Sequence, residues 1–258
     1  EAGKFPFSAQ DPTLIAKLGE CHERGNLHAT TDIEVYASAD VVIIDVSLDI
    51  DFKDEEPRLN LEGLKAAFLD VAKRVPEGAL ILVETTVPPG TCEKVLKPIL
   101  EEVSRSKRLA TDAIYLAHSY ERVMPGEHYF DSITNFWRVY AGTTTRAADA
   151  CERFLSTLID VTQFPLSRLA STTASETAKV MENSYRSVNI AFVDEWTKYA
   201  EKVGIDLFDV IDSIRVRPTH SNLRFPGLGV GGYCLTKDPA FAPAAAREIF
   251  GIADLEFP

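Results

Sequence analysis

Ala79-Leu80-Ile81-Leu82-Val83-Glu84-Thr85-Thr86-Val87-Pro88-Pro89-Gly90-Thr91 is a run of five apolar residues that ends in a turn. A run this short and this uniformly apolar, closed by Pro-Pro-Gly, reads as a buried strand rather than a helix segment. Val41-Val42-Ile43-Ile44, Ile114-Tyr115-Leu116-Ala117 and Trp137-Arg138-Val139-Tyr140 repeat the type on either side of it. Between these runs, Leu61 to Val75, Thr91 to Val103 and Thr145 to Leu158 space their apolar residues at helical intervals. From about Val41 to Phe164 this alternation predicts an α/β fold with a mostly parallel sheet covered on both faces.

The pattern changes after about Ser167. Thr173 with Glu176 three residues on reads as a capping box, and Gly204 reads as a C-terminal stop. One helix of about thirty residues, roughly 45 Å long, fits between them. Its apolar residues, among them Val180, Met181, Tyr185, Val188, Phe192, Val193, Trp196 and Tyr199, lie on more than one face. Such a helix needs a second packing partner, and a subunit interface is one candidate. A shorter helix over Asp206 to Ile214 follows, then a Pro-, Gly-, Asn- and Ser-rich loop from Arg217 to Gly232.

The 258 residues, 45% hydrophobic, suffice for one large domain or two small ones. A formal net charge of -12 argues against a surface that tracks nucleic-acid phosphates. No window reaches the roughly 18 apolar residues of a membrane span, and Glu1 to Gln10 is not a secretory leader, so the expectation is a cytoplasmic chain. Cys21, Cys92, Cys151 and Cys234 are far apart, without the spacing of a zinc site or a disulfide framework.

Cys234 stands out by its neighbours, in Gly227-Leu228-Gly229-Val230-Gly231-Gly232-Tyr233-Cys234-Leu235-Thr236-Lys237-Asp238-Pro239. The glycines satisfy G-x-G-x-x-G as text, but no strand precedes them, so they are not read as a dinucleotide fingerprint. Asp238-Pro239 reads as an N-cap with proline at the first helical position. That places Cys234 just ahead of a helix N-terminus with Lys237 nearby, two features that favour a thiolate; a buried cysteine beside a capped helix is the plainer reading.

On the long helix, Glu176, Lys179, Asn183 and Arg186 form one polar stripe. A solvated face would explain it. Lys179 and Asn183, one turn apart, could equally donate to an oxygen that gains negative charge. Thr86 and the Glu121-Arg122 pair each leave a strand end, where open α/β sheets place ligand-contacting loops. Glu121 is an acid or base candidate and Arg122 an anion partner, against a surface ion pair.

These segments together resemble the UDP-glucose/GDP-mannose dehydrogenase family. The matching pieces are Ala29-Thr30-Thr31-Asp32, Thr86-Val87-Pro88-Pro89-Gly90-Thr91, Glu121-Arg122 with Pro125-Gly126, Lys179 with Asn183, Tyr185-Arg186, Val188-Asn189, and Gly231-Gly232-Tyr233-Cys234-Leu235-Thr236-Lys237-Asp238. The resemblance implies a partial Rossmann-like NAD-binding domain over 1–168, without its glycine fingerprint, and a central helical dimerisation domain with the Cys loop over 169–258. It also implies that the opening of the first domain and a nucleotide-binding domain lie outside the chain.

The activity it implies is an NAD-dependent, four-electron oxidation of a UDP-sugar C6 alcohol to the uronate, in a homodimer paired through the long helix. The implied catalytic residues are Cys234, Lys179, Asn183, Asp238, Thr86 and Glu121. Thr86, Glu121, Val46, Ser47 and Lys237 would contact NAD, and Arg122, Lys179, Arg217, His220, Asn222 and Gly231 the sugar nucleotide. No metal is implied. The chain departs from common family residues at Ser47-Leu48-Asp49, Tyr120, Asp194 and Thr236. The loop from Arg217 to Asn222 looks more like N-acetylhexosamine dehydrogenases than UDP-glucose ones. A hydroxyacid dehydrogenase, which shares a helical Lys and Asn but needs no thiol, and a non-catalytic dimeric scaffold remain the alternatives.

Overall fold

In a computed structural model of the chain, residues 10–53, 56–124, 126–255 and 257 are described. Pro125 of the Pro-Gly pair, and all but Gln10 of the opening segment, lie outside them. The chain divides into two compact units. One holds residues 1–48, 61–85 and 90–176, the other 49–60, 86–89 and 177–258, and the division falls inside the longest helix.

The first unit begins with α1 (Pro12–Glu23), capped by Asp11, whose side chain accepts from Thr13 N at 2.8 Å and from Phe130 N at 2.7 Å. After a 3-10 turn at Ile33–Ser38 comes β1 (Val41–Ile44). The chain then makes an antiparallel hairpin, β2 (Ile50–Lys53) and β3 (Glu56–Leu59), which belongs to the second unit. α2 (Glu62–Arg74) returns to the first unit and leads to β4 (Leu80–Val83). A π-helical turn at Thr91–Leu96 runs into α3 (Lys97–Ser106), and β5 (Tyr115–Ser119), α4 (Tyr129–Thr134), β6 (Val139–Gly142), α5 (Thr145–Leu155) and β7 (Ser167–Arg168) complete the unit.

The sheet order is β1-β4-β5-β6-β7. β1, β4 and β5 are parallel, β6 runs antiparallel to β5, and β7 is parallel to β6, so the expected mostly parallel sheet is present. All four residues of β4 are buried. Because successive side chains point to opposite faces, this requires cover on both sides. Leu80 and Leu82 pack with Ala117, Tyr140, Ala148, Cys151 and Leu155, which brings α5 onto one face. Ile81 and Val83 point the other way and are equally buried.

The second unit holds most of α6 (Thr172–Val203), then α7 (Leu207–Arg215) and α8 (Tyr233–Glu248). Gly204, at φ 73°, stops α6 as expected, with its N–H on Ala200 O at 2.9 Å. Val193, Ala200, Leu207 and Ile211 form a small core between α6 and α7.

The start of α6 is a correction to the expected capping box. Ser171, not Thr173, accepts from the Ala174 N–H, and Glu176 turns inward to other amides. Buried N–H groups elsewhere in the fold outcompete the local reciprocal bond, because leaving them unpaired costs more than losing a cap.

Candidate active site

In the second unit the site is built where α6 meets α8. Asn183 donates from Nδ2 to Asp238 Oδ2 at 2.7 Å, and Lys237 Nζ lies 2.6 Å from Asp238 Oδ1. Asp238 is fully buried, and a hydrogen-bond partner on each oxygen offsets the cost of taking it out of water. A carboxylate cannot donate, which fixes the Asn183 amide with its nitrogen toward Asp238. Lys237 also lies over the rings of Tyr233 and Phe241, at 4.7 and 4.8 Å, so its ammonium is committed inward. Lys179 is buried one helical turn before Asn183 on the same face of α6.

The local structure around Cys234 corrects the sequence reading. α8 begins at Tyr233, so Cys234 is its second residue rather than ahead of it, and Asp238 sits inside the helix rather than capping it. Two features account for this. Gly232 holds φ 85° and ψ 156°, a conformation closed to side-chain-bearing residues, and it ends the loop there. Pro239 inside the helix is tolerated because the carbonyl that its missing N–H leaves free, Leu235 O, accepts from Ser187 Oγ at 3.2 Å.

Exposure separates the four cysteines. Cys92 and Cys151 are buried, and burial holds both as thiols: the Cys92 thiol is pushed well above its ordinary range, with Glu176 beside it adding to the shift, and Cys151 is pushed up to about 12. Cys21 is half-buried. Cys234 is exposed and free.

Other candidates of this unit lie in the loop before α8. Arg217 opens a 3-10 turn, Pro218–His220, and is exposed. His220 Nδ1 is 2.8 Å from Thr219 Oγ1, Asn222 donates to the Tyr185 hydroxyl, and Gly231 is exposed with open space where a Cβ would be. Thr86 is half-buried in the turn after β4.

In the first unit the carboxyl ends of β1, β4 and β5 lead to the remaining candidates. Val46 and Ser47 follow β1, and Val46 lines an open cleft of about 440 Å³ with Tyr36, Val42, Asp45 and Val71. Glu121 accepts from Val123 N, while Arg122 donates to the Tyr120 hydroxyl at 3.1 Å and lies over the Tyr120 and Phe136 rings. Partial burial raises the Asp45 carboxyl, Glu84 and Glu121 raise it further, and Arg138 opposes them. Arg138 is itself buried in an ion pair with Glu84. Three carboxylates, Asp45, Glu84 and Glu121, thus gather at these strand ends, with Arg138 as the partner of Glu84.

The family profile described as UDP-glucose/GDP-mannose dehydrogenase family, NAD binding domain, matches residues 2–159. The profile for the family's central domain matches residues 173–253. The chain belongs to this family. It is 33% identical over 242 residues to a UDP-N-acetyl-D-mannosamine dehydrogenase of Pyrococcus horikoshii, covering 94% of this chain and 55% of that protein. It is 31% identical to an NDP-N-acetyl-D-galactosaminuronic acid dehydrogenase of Ralstonia solanacearum, over 92% of this chain and 54% of that one. Among solved structures, the Pyrococcus horikoshii enzyme superposes with a TM-score of 0.81 at 29% identity, over 99% of this chain and 56% of that one. The chain thus spans about half the length of these relatives. NAD is the cofactor of the family domain that residues 2–159 match.

Glu176, by its sequence pattern a cap and a member of the polar stripe, is fully buried. It accepts from Gly90 N at 2.6 Å and Cys92 N at 2.8 Å. Burial outweighs these bonds and raises its carboxyl from 4.5 to about 7. The unfolded chain therefore releases this proton at lower pH than the folded one. The Glu176 contribution to stability is fully present below about pH 4.5 and is lost as pH rises through about 7, by on the order of 3 kcal/mol. Denaturant titrations at pH 4.5 and pH 8 check this: the drop in stability in wild type should exceed that in Glu176→Gln, and equal drops would contradict it.

Proposed function

We propose that this chain forms the catalytic core of an NAD-dependent nucleotide-sugar 6-dehydrogenase that oxidises the C6 alcohol of a UDP-N-acetylhexosamine to the carboxylate through Cys234. The observation that carries the reading is the buried Asn183–Asp238–Lys237 network, which joins the helix bearing Lys179 to the helix bearing an exposed Cys234. A hydroxyacid dehydrogenase has no use for that thiol, and a scaffold has none for a buried charge network that costs desolvation. The N-acetylated sugar rests on the names of the relatives.

Bound NAD⁺ would supply the hydride acceptor for each of the two oxidations at the sugar C6. In the first, water held by Thr86 and Asp238 takes the hydroxyl proton, leaving an aldehyde. The Cys234 sulfur adds to the aldehyde carbon, and Lys179 with the remaining Asn183 N–H donates to the oxyanion of the thiohemiacetal. The second oxidation turns that carbon into a thioester. Water guided by Glu121 then releases the carboxylate and restores the thiol. Arg122, Arg217, His220, Asn222 and Gly231 bind the sugar nucleotide and Val46, Ser47, Thr86 and Glu121 serve the cofactor, while Lys237, its ammonium held by Asp238, braces the buried network instead of contacting NAD.

The reading includes a homodimer. Met181, Tyr185, Val188, Phe192, Trp196, Tyr199 and Val203 recur at steps of three and four along α6, and each is between 47% and 69% exposed. A continuous apolar seam of this length marks an interface on a soluble chain, and pairing two copies about a two-fold axis covers it with itself. Among the described residues no helix is long and apolar enough to cross a membrane.

Two experiments test these points. Cys234→Ser in the full-length protein should block uronate formation while aldehyde formation persists, because only the thioester step needs sulfur as nucleophile and leaving group. Uronate produced at the wild-type rate would exclude the assignment. In sedimentation equilibrium, wild type should be a discrete two-chain species that Phe192→Glu converts to folded monomer, and a wild-type monomer at tens of micromolar would exclude the helix-paired dimer.

A further inference from the structure

The first turn of α6 is held by side chains that the reaction scheme leaves unused. Ser175 and Glu176 are both fully buried. His118 Nδ1, at the end of β5, lies 2.7 Å from Ser175 Oγ, whose own hydroxyl donates to Thr172 O at 3.0 Å. The hydroxyl proton being spent, Nδ1–H is the donor of the pair. Glu176 projects toward the turn after β4, where its two oxygens take the N–H groups of Gly90 and Cys92. Gly90, at φ 90°, is the left-handed residue that lets two nearby amides face one anion.

A fold-stabilising role alone would be an expensive use of this group. An apolar side chain would avoid the desolvation of a carboxylate, but it would leave two buried amides without acceptors. Glutamine has nearly the same shape, yet it offers one acceptor and sets an NH2 against the other N–H. Of the three, only a carboxyl group offers an acceptor oxygen to each amide, and it does so fully once ionised, above about pH 7. The turn so held begins at Thr86. Lys179 and Asn183 lie three and seven residues beyond Glu176, on the same face of the helix.

We propose that Glu176 is a positioning residue for the oxidation: by clamping the Gly90 and Cys92 amides, it fixes the turn that starts at Thr86 relative to the helix that carries Lys179 and Asn183. This inference rests on the dehydrogenase reading above. Glu176 touches neither sugar nor cofactor; it acts through the placement of Thr86 and Lys179. Misplacing such groups by an ångström slows the chemical step without abolishing binding.

The test uses the full-length protein as wild type, Glu176→Gln and Glu176→Asp, with NAD⁺ and UDP-N-acetyl-D-mannosamine as substrates and amide hydrogen exchange over residues 86–92. Glu176→Gln should lower kcat by roughly tenfold to a hundredfold while both KM values stay within about threefold. Exchange should quicken at the Gly90 and Cys92 amides. Glu176→Asp keeps the charge but is one methylene short, so it should show smaller changes in the same direction, and it stands in if the Gln variant fails to fold. A folded variant with wild-type kcat, or one that loses kcat while the turn amides exchange as in wild type, overturns the proposal. So does a loss confined to KM. Wild-type protein that oxidises no nucleotide sugar overturns the dehydrogenase reading instead, and the exchange data then still decide whether Glu176 holds the turn.

Discussion

Asp238 sits fully buried inside α8 and is tolerable there only because Asn183 and Lys237 each satisfy one of its oxygens. Much else in the second unit follows from this one anion. It sets the rotation of α8 against α6, since the helices must bring these residues to within a hydrogen bond. It fixes which end of the Asn183 amide faces inward, leaving the second N–H for another acceptor. It draws Lys237 inward over the Tyr233 and Phe241 rings. Removing either partner would leave a buried charge short of hydrogen bonds, which is far costlier than losing a surface ion pair.

The hairpin of β2 and β3 adds a second hold on α8. Arg247 donates to Pro57 O at 2.6 Å, Leu59 N points at the Glu248 carboxylate at 3.3 Å, and the Tyr233 hydroxyl donates to Asp49 Oδ1 at 2.8 Å. Both ends of α8 are therefore tied to the segment 49–60 that follows Ser47. Cys234 is presented at the first turn of a helix anchored at both ends, so an exposed thiol sits on a rigid element.

The parts of the fold that were legible in the sequence are those in which burial imposes a period. β1, β4, β5 and β6 were visible as apolar runs, and α6 as a long apolar helix ended by Gly204, because both signals follow directly from packing. The hairpin at 50–59 was not. Ile50-Asp51-Phe52 and Glu56-Pro57-Arg58-Leu59 mix charged and apolar residues and none of them is buried, and the hairpin is held by contacts from α8, nearly 190 residues away in sequence. Glu176 misled for the same reason: Thr-x-x-Glu is a local cap pattern, but its acceptors were claimed by amides 84 and 86 residues distant. Asp238-Pro239 also imitated a helix start, and only Ser187, placed by α6, shows how the helix runs through the proline. The glycine-rich neighbours that mark Cys234 in the sequence have a physical reason in the positive φ of Gly229 and Gly232.

We propose that one site, assembled on α6 and α8, carries out two successive oxidations at the same sugar carbon through a sulfur adduct. The most direct measurement is the amount of NADH formed per molecule of UDP-N-acetylhexosamine consumed by the full-length protein, with the product identified by mass. Two NADH per sugar and a carboxylate product are expected, because a thiohemiacetal on Cys234 must pass a second hydride before it can leave as an acid. One NADH per sugar, with the aldehyde as the released product, would contradict it.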